Sequence, residues 1–133
     1  MTMKLNKNLL NKSDIESILE PTLLWENSSP SSSFNPSDYP NSRLTLSQNK
    51  NNFSYLKILI SLGAGNNIFQ IVTLENTSSS YSTTISMGDG NVAWGRTITF
   101  VDSTHIEFGN GVNGSTTNNN RIVFKAIYGT NIL

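Results

Sequence analysis

The sequence contains no cysteine. Disulfides, thiolate zinc sites and a cysteine nucleophile are therefore excluded. Charge is scarce: Asp, Glu, Lys and Arg make up 14% of the 133 residues, against roughly 25% in an average protein. The nine basic and nine acidic residues cancel, and no basic run exists, so the electrostatic footprint of nucleic-acid binding is missing. Long apolar runs are absent too. None approaches the ~18 residues of a membrane-spanning helix, so membrane insertion is not expected. Met1 to Leu10 carries lysines but no continuous apolar stretch, and a conventional secretion signal is not expected there. The single histidine, His105, has no second His or Cys to share a metal, and no metal or cofactor is expected.

Asn, Ser and Thr fill the place of the missing charge, while apolar residues amount to 36%. A chain of this length supports one hydrophobic core. An uncharged polar surface, no disulfides and no leader fit a particle assembled in a cytoplasm and released by lysis. Without disulfides, burial between copies is the natural way to stabilise a small domain.

Residues 1–21 read differently from the rest. Ser13-Asp14-Ile15-Glu16 forms a capping box, with Ser13 as N-cap and Glu16 at the third helical position. Ile15, Ile18 and Leu19 follow at helical spacing, and Pro21 ends the helix. About two turns of helix are too short to be stable alone, so the stripe must dock on something. With Leu5, Leu9 and Leu10 it makes residues 1–21 an attachment or oligomerisation segment.

Residues 22–133 read as one β domain. Thr22 to Asn27 is a first strand, followed by a Ser/Pro-rich loop that Phe34 and Tyr39 pin to the surface. From Arg43 the period is two. Leu56, Ile58, Ile60 and Leu62 share one face of Ser54–Leu62, and Ile68–Glu75 returns as the second half of a hairpin. Strands at Thr83–Met87, Ala93–Val101, Thr104–Phe108 and Arg121–Tyr128 follow, with Ile98, Phe100, Ile106 and Phe108 facing inward. About eight short strands separated by turn clusters predict an all-β, antiparallel sandwich of jelly-roll type. Ser54–Leu62 and Arg121–Tyr128 are apolar on both faces. One face belongs to the core and the other to a second sheet or a neighbouring subunit.

Gly109 to Asn120 reads as a long loop and is the best binding candidate. Asn110, Asn113, Ser115, Thr116, Asn118 and Asn119 offer amides and hydroxyls that both donate and accept hydrogen bonds, as sugar hydroxyls require. Other features have plainer readings. His105 is a solvated strand histidine, and Asp89-Gly90-Asn91 is a hairpin turn rather than a calcium loop. Asp102 and Glu107 do not form a carboxylate pair for glycoside cleavage, and no enzymatic activity is expected. Trp25 and Trp94 are structural anchors.

Several of these features recur in a fixed order. They are the Leu24-Trp25-Glu26-Asn27 opening, Phe34 in its Ser/Pro loop and the Tyr55-Leu56-Lys57-Ile58 strand. Gly95-Arg96-Thr97-Ile98-Thr99-Phe100, Asp102 to Phe108 and the terminal Ile127-Tyr128-Gly129 complete the set. Over roughly residues 22 to 131 the chain resembles the small knob domain at the C-termini of phage tail-fibre, head-fibre and minor structural proteins. That resemblance implies a homotrimer at the end of a virion appendage, joined to other virion proteins through residues 1–21 and contacting a host-surface glycan or protein. Two further readings stay open: a head-fibre or capsid decoration protein with a purely structural role, and a bacterial carbohydrate-binding module.

Overall fold

A computed structural model of the chain describes residues 21–28, 43–62, 69–77, 79–89, 92–113, 116–117 and 122–132. The expected helix at residues 13–20 and the anchors Phe34 and Tyr39 lie outside these residues.

Among the described residues nine strands form: β1 (Thr22–Glu26), β2 (Leu44–Thr45), β3 (Tyr55–Leu62), β4 (Phe69–Glu75), β5 (Tyr81–Asp89), β6 (Val92–Phe100), β7 (His105–Asn113), β8 (Thr116–Thr117) and β9 (Ile122–Thr130). All pairings are antiparallel. One sheet has the order β1-β9-β3-β4. The other has the order β2-β7-β6-β5, with β8 added to β7. The fold is therefore the expected all-β sandwich. The chain changes sheet after β1, β2, β4 and β8, while β3–β4 stay together as a hairpin and β5-β6-β7 as a meander.

The alternating residues do what their period dictates. Leu56, Ile58, Ile60 and Leu62 of β3 meet Ile98 and Phe100 of β6 and Ile106 of β7 in one core, all fully buried. Each such side chain contributes about 1.5–3 kcal/mol by leaving water. Trp94 lies in this core, and Trp25 packs against it with its ring edge-on to Phe108 at 5.3 Å. Both tryptophans are thus structural.

Three irregularities reset the alternation. The register slips between Leu23 and Trp25, so that Leu24 and Trp25 both reach the core. Another slip, opposite Leu59 and Ile60, inserts Lys125 into β9 and lets Phe124 and Ile127 face inward together. The third lies on β7 and shapes the candidate site.

At the end of the sandwich away from that site, a 3-10 turn over Lys50–Asn52 leads into β3. Lys50 is fully buried. Its Nζ donates to Thr77 O at 2.6 Å, Asn76 Oδ1 at 3.2 Å and Asn51 Oδ1 at 3.3 Å, and lies 5.4 Å from the centre of the Tyr81 ring. Asn76 Nδ2 donates back to the carbonyls of Lys50 and Phe53 at 2.7 and 2.8 Å. Carbonyls and ring faces thus compensate a cation that burial disfavours, and that burial pushes the lysine pKa down. The cluster clamps the β2–β3 connection to the β4–β5 connection.

Candidate functional site

β5–β6 pairing runs out to Asp89 opposite Val92, as a two-residue hairpin connection requires. β7 accompanies β6 to Asn113, which lies opposite Trp94. It then folds back, with Val112 opposite Thr117 and Asn113 opposite Thr116. Leu62 pairs with Ile122 at the same end of the other sheet. One end of the sandwich therefore gathers the β7–β8 hairpin, the β5–β6 connection and the start of β9.

This corrects the expected loop at 109–120. Asn110 and Asn113 sit within β7 and Thr116 within β8, while Ser115, Asn118 and Asn119 lie outside the described residues. The Gly- and Asn-rich stretch remains a strand because it is bulged. Arg96 lies opposite Gly111 and Ile98 opposite Phe108, leaving Gly109 and Asn110 against the single residue Thr97. A Cβ on Gly109 would stand 3.3 Å from the Thr97 Cβ, so the bulge favours glycine there.

Arg96 holds the bulge from inside, and sequence reasoning missed it. The side chain is fully buried on the inner face of β6. Its Nε donates to Gly109 O at 2.9 Å, and its Nη1 donates across the sandwich to Ile122 O at 3.1 Å. The guanidinium carbon lies 5.8 Å from the centre of the Phe124 ring, which itself stacks on Phe108 at 4.2 Å. Nη2 has no partner among the described residues. Desolvation pushes the arginine pKa down to about 10, still well above neutrality. One cation thus ties the hairpin of one sheet to the first residue of β9 in the other. No signal in the sequence separates such an arginine from a surface one.

A second feature lies on the outer face of the β1-β9-β3-β4 sheet. Lys57 pairs with Tyr128, and Leu59 with Ile71. Together with Pro21 they line a groove of about 310 Å³. Beside it Ile71 and Phe69 are 62% and 55% exposed. The expected attachment residues Leu5, Leu9, Leu10, Ile15, Ile18 and Leu19 lie outside the described residues.

Asp102 and Glu107 serve local structure. Asp102 Oδ1 accepts from the Thr104 N–H at 2.8 Å, and Asp102 contacts His105 Nδ1 at 2.8 Å. The Thr104 amide, followed by the His105 hydrogen bond, holds the Asp102 pKa at about 2. Glu107 pairs with Arg43 at 3.2 Å on the surface. Among the described residues, no group of three or more His, Cys, Asp or Glu side chains is placed to hold a metal. Tyr81 tilts against Phe100 at 4.8 Å and packs on the core. The chain matches no protein-family model, no curated protein and no solved structure.

Proposed function

We propose that this chain is a structural protein of a phage virion: the homotrimeric tip of a fibre or spike, which contacts a glycan or protein on the host surface. Residues 1–21 join it to other virion proteins, and the particle assembles in the host cytoplasm. The ordered set of motifs from Leu24 to Gly129 supports this reading, as does the uncharged polar sandwich. The observation that carries it is a small, cysteine-free β-sandwich with apolar side chains left exposed outside its core, at Phe69 and Ile71. Such a domain is stabilised by its own copies in place of disulfides. The hairpin end, with Asn113 opposite Thr116 and Asn110 in the β7 bulge, is the ligand-facing surface.

Light scattering on the purified chain, combined with a glycan array, tests the proposal. A trimer that binds a defined glycan class is expected. A stable monomer at micromolar concentration with no glycan bound overturns it.

One feature favours the decoration-protein reading instead. Asn110, Asn113 and Thr116 belong to strands, which narrows the part of this segment free to adapt to a ligand. Deleting residues 1–20 separates the two. Loss of particle association with unchanged infectivity supports decoration, and loss of both supports adhesion.

A further inference from the structure

The Lys50 cluster sets an amine against a carboxamide. Lys50 Nζ, at the end of a fully buried side chain, stands 3.2 Å from Asn76 Oδ1. Two aromatic rings wall the site, with Tyr81 and Phe100 centred 5.4 and 5.8 Å from Nζ. The other two acceptors of Nζ, Thr77 O and Asn51 Oδ1, are neutral oxygens as well. None of them holds the amine as a cation in the way a carboxylate would. A lysine desolvated beside apolar groups is a better nucleophile than one in water.

The carboxamide is held for the encounter. Asn76 Nδ2 donates to the carbonyls of Lys50 and Phe53 at 2.7 and 2.8 Å. Those bonds fix which end of the amide faces Nζ, because a flipped amide would set its oxygen against both carbonyls. Asn51, by contrast, is exposed. Lys50 and Asn76 lie 26 residues apart in the chain, on the two connections that the cluster clamps together.

The geometry points to a covalent closure of this clamp: an amide bond between Lys50 Nζ and Asn76 Cγ, formed with loss of ammonia. The closure is independent of the virion reading. Nζ first gives up its ammonium proton to solvent. Its lone pair then bonds to Cγ, and the carbonyl π pair moves onto Oδ1. That pair returns as the Cγ–Nδ2 bond breaks, and Nδ2 takes a second proton from Nζ and leaves as ammonia. Nothing is oxidised or reduced. The N–H left on Nζ keeps its donation to Thr77 O. An amine attacks an unactivated amide very slowly in water, and holding the two groups together supplies an effective concentration of up to about 10⁵–10⁸ M. No acid or base among the three acceptors speeds the proton transfers. The link therefore accumulates over days, and freshly made chain holds the pair unlinked. Closure removes freedom from the unfolded chain as a disulfide does, in a sequence without cysteine.

Intact mass and tryptic mapping of the full chain, held for days at mildly alkaline pH, test this. Loss of one ammonia is expected, with a product that joins residues 44–57 to residues 58–96. Cleavage after Lys50 should fail in that product, because acylation removes the charge that trypsin reads. Lys50→Arg keeps a cation and its donors but no amine able to attack, and is expected to form no such product. Asn76→Ala is expected to form none either. The wild-type map decides the question even where a variant fails to fold. A wild-type mass that stays constant overturns the proposal. So does an ammonia loss that maps to Asn51, or to ring closure at Asn110-Gly111 or Asn113-Gly114, with residues 44–57 and 58–96 left separate.

Discussion

Replacing Arg96 tests how the hairpin end is held. Two hydrogen bonds from the guanidinium reach Gly109 O and Ile122 O, and bonds to charged groups contribute about 1.5–3 kcal/mol each. Against this stands the cost of burying a cation with no carboxylate among its described partners. The depression of its pKa to about 10 corresponds to roughly 3 kcal/mol of that cost. Arg96→Met keeps most of the volume and removes the buried charge, but leaves two carbonyls without their donor. A net loss of about 1–3 kcal/mol is expected. Arg96→Ala adds a cavity beside the stacked Phe124 and Phe108 rings, and a loss of about 3–5 kcal/mol is expected. With a urea slope near 2 kcal/mol/M, the unfolding midpoints fall by about 1 M and 2 M respectively. Wild type, Met and Ala should rank in that order of stability. A methionine variant as stable as wild type, or more so, would refute the reasoning, because the burial cost would then outweigh both bonds.

Four other perturbations check further parts of the fold. Asn76→Ala removes an acceptor for the Lys50 ammonium and a donor to two carbonyls, and is expected to cost about 2–4 kcal/mol by urea unfolding. Burial holds the Lys50 pKa below its unfolded value of 10.5. Wild-type stability should therefore rise as pH climbs through the folded value toward 10.5, and Lys50→Met should flatten that rise in thermal melts. Asp102 has the opposite sign. Its folded pKa of about 2 lies below the ordinary 3.8, so the stability it contributes is present above pH 3.8 and is lost as pH falls toward 2. The melting-temperature gap between wild type and Asp102→Ala should accordingly narrow over that window. At Gly129 an added Cβ would stand 2.5 Å from the Phe53 ring, so Gly129→Ala is expected to cost about 1–3 kcal/mol through displacement of that ring.

The two-residue rhythm made most of the core legible. Leu56, Ile58, Ile60, Leu62, Ile98, Phe100 and Ile106 are all buried on the faces their alternation assigned. The β3–β4 and β5–β6 hairpins were equally plain, because glycine and asparagine clusters separate clearly alternating runs. The same rule misplaced the end of β7. Gly109-Asn110-Gly111 has loop composition, yet a bulge opposite Thr97 turns the extra residue into a bend within a strand. Composition records turn-forming residues but not whether a neighbouring strand stays in register beside them. Lys50 and Arg96 were hidden for a different reason. A buried cation is usually sought through a nearby carboxylate, and these two donate instead to neutral backbone and side-chain amide oxygens. For the candidate binding segment, sequence chemistry located Asn110, Asn113 and Thr116, and tertiary pairing decided that they belong to a hairpin.

The proposed packing of sister copies over the exposed Phe69 and Ile71 is tested most directly by hydrogen–deuterium exchange of residues 69–75 across a dilution series. The amides of an edge strand that faces solvent exchange fast, and those covered by another copy exchange slowly. Slow exchange at high concentration that becomes fast on dilution, while β6 stays protected throughout, is the expected result. Fast exchange of residues 69–75 at every concentration would contradict it.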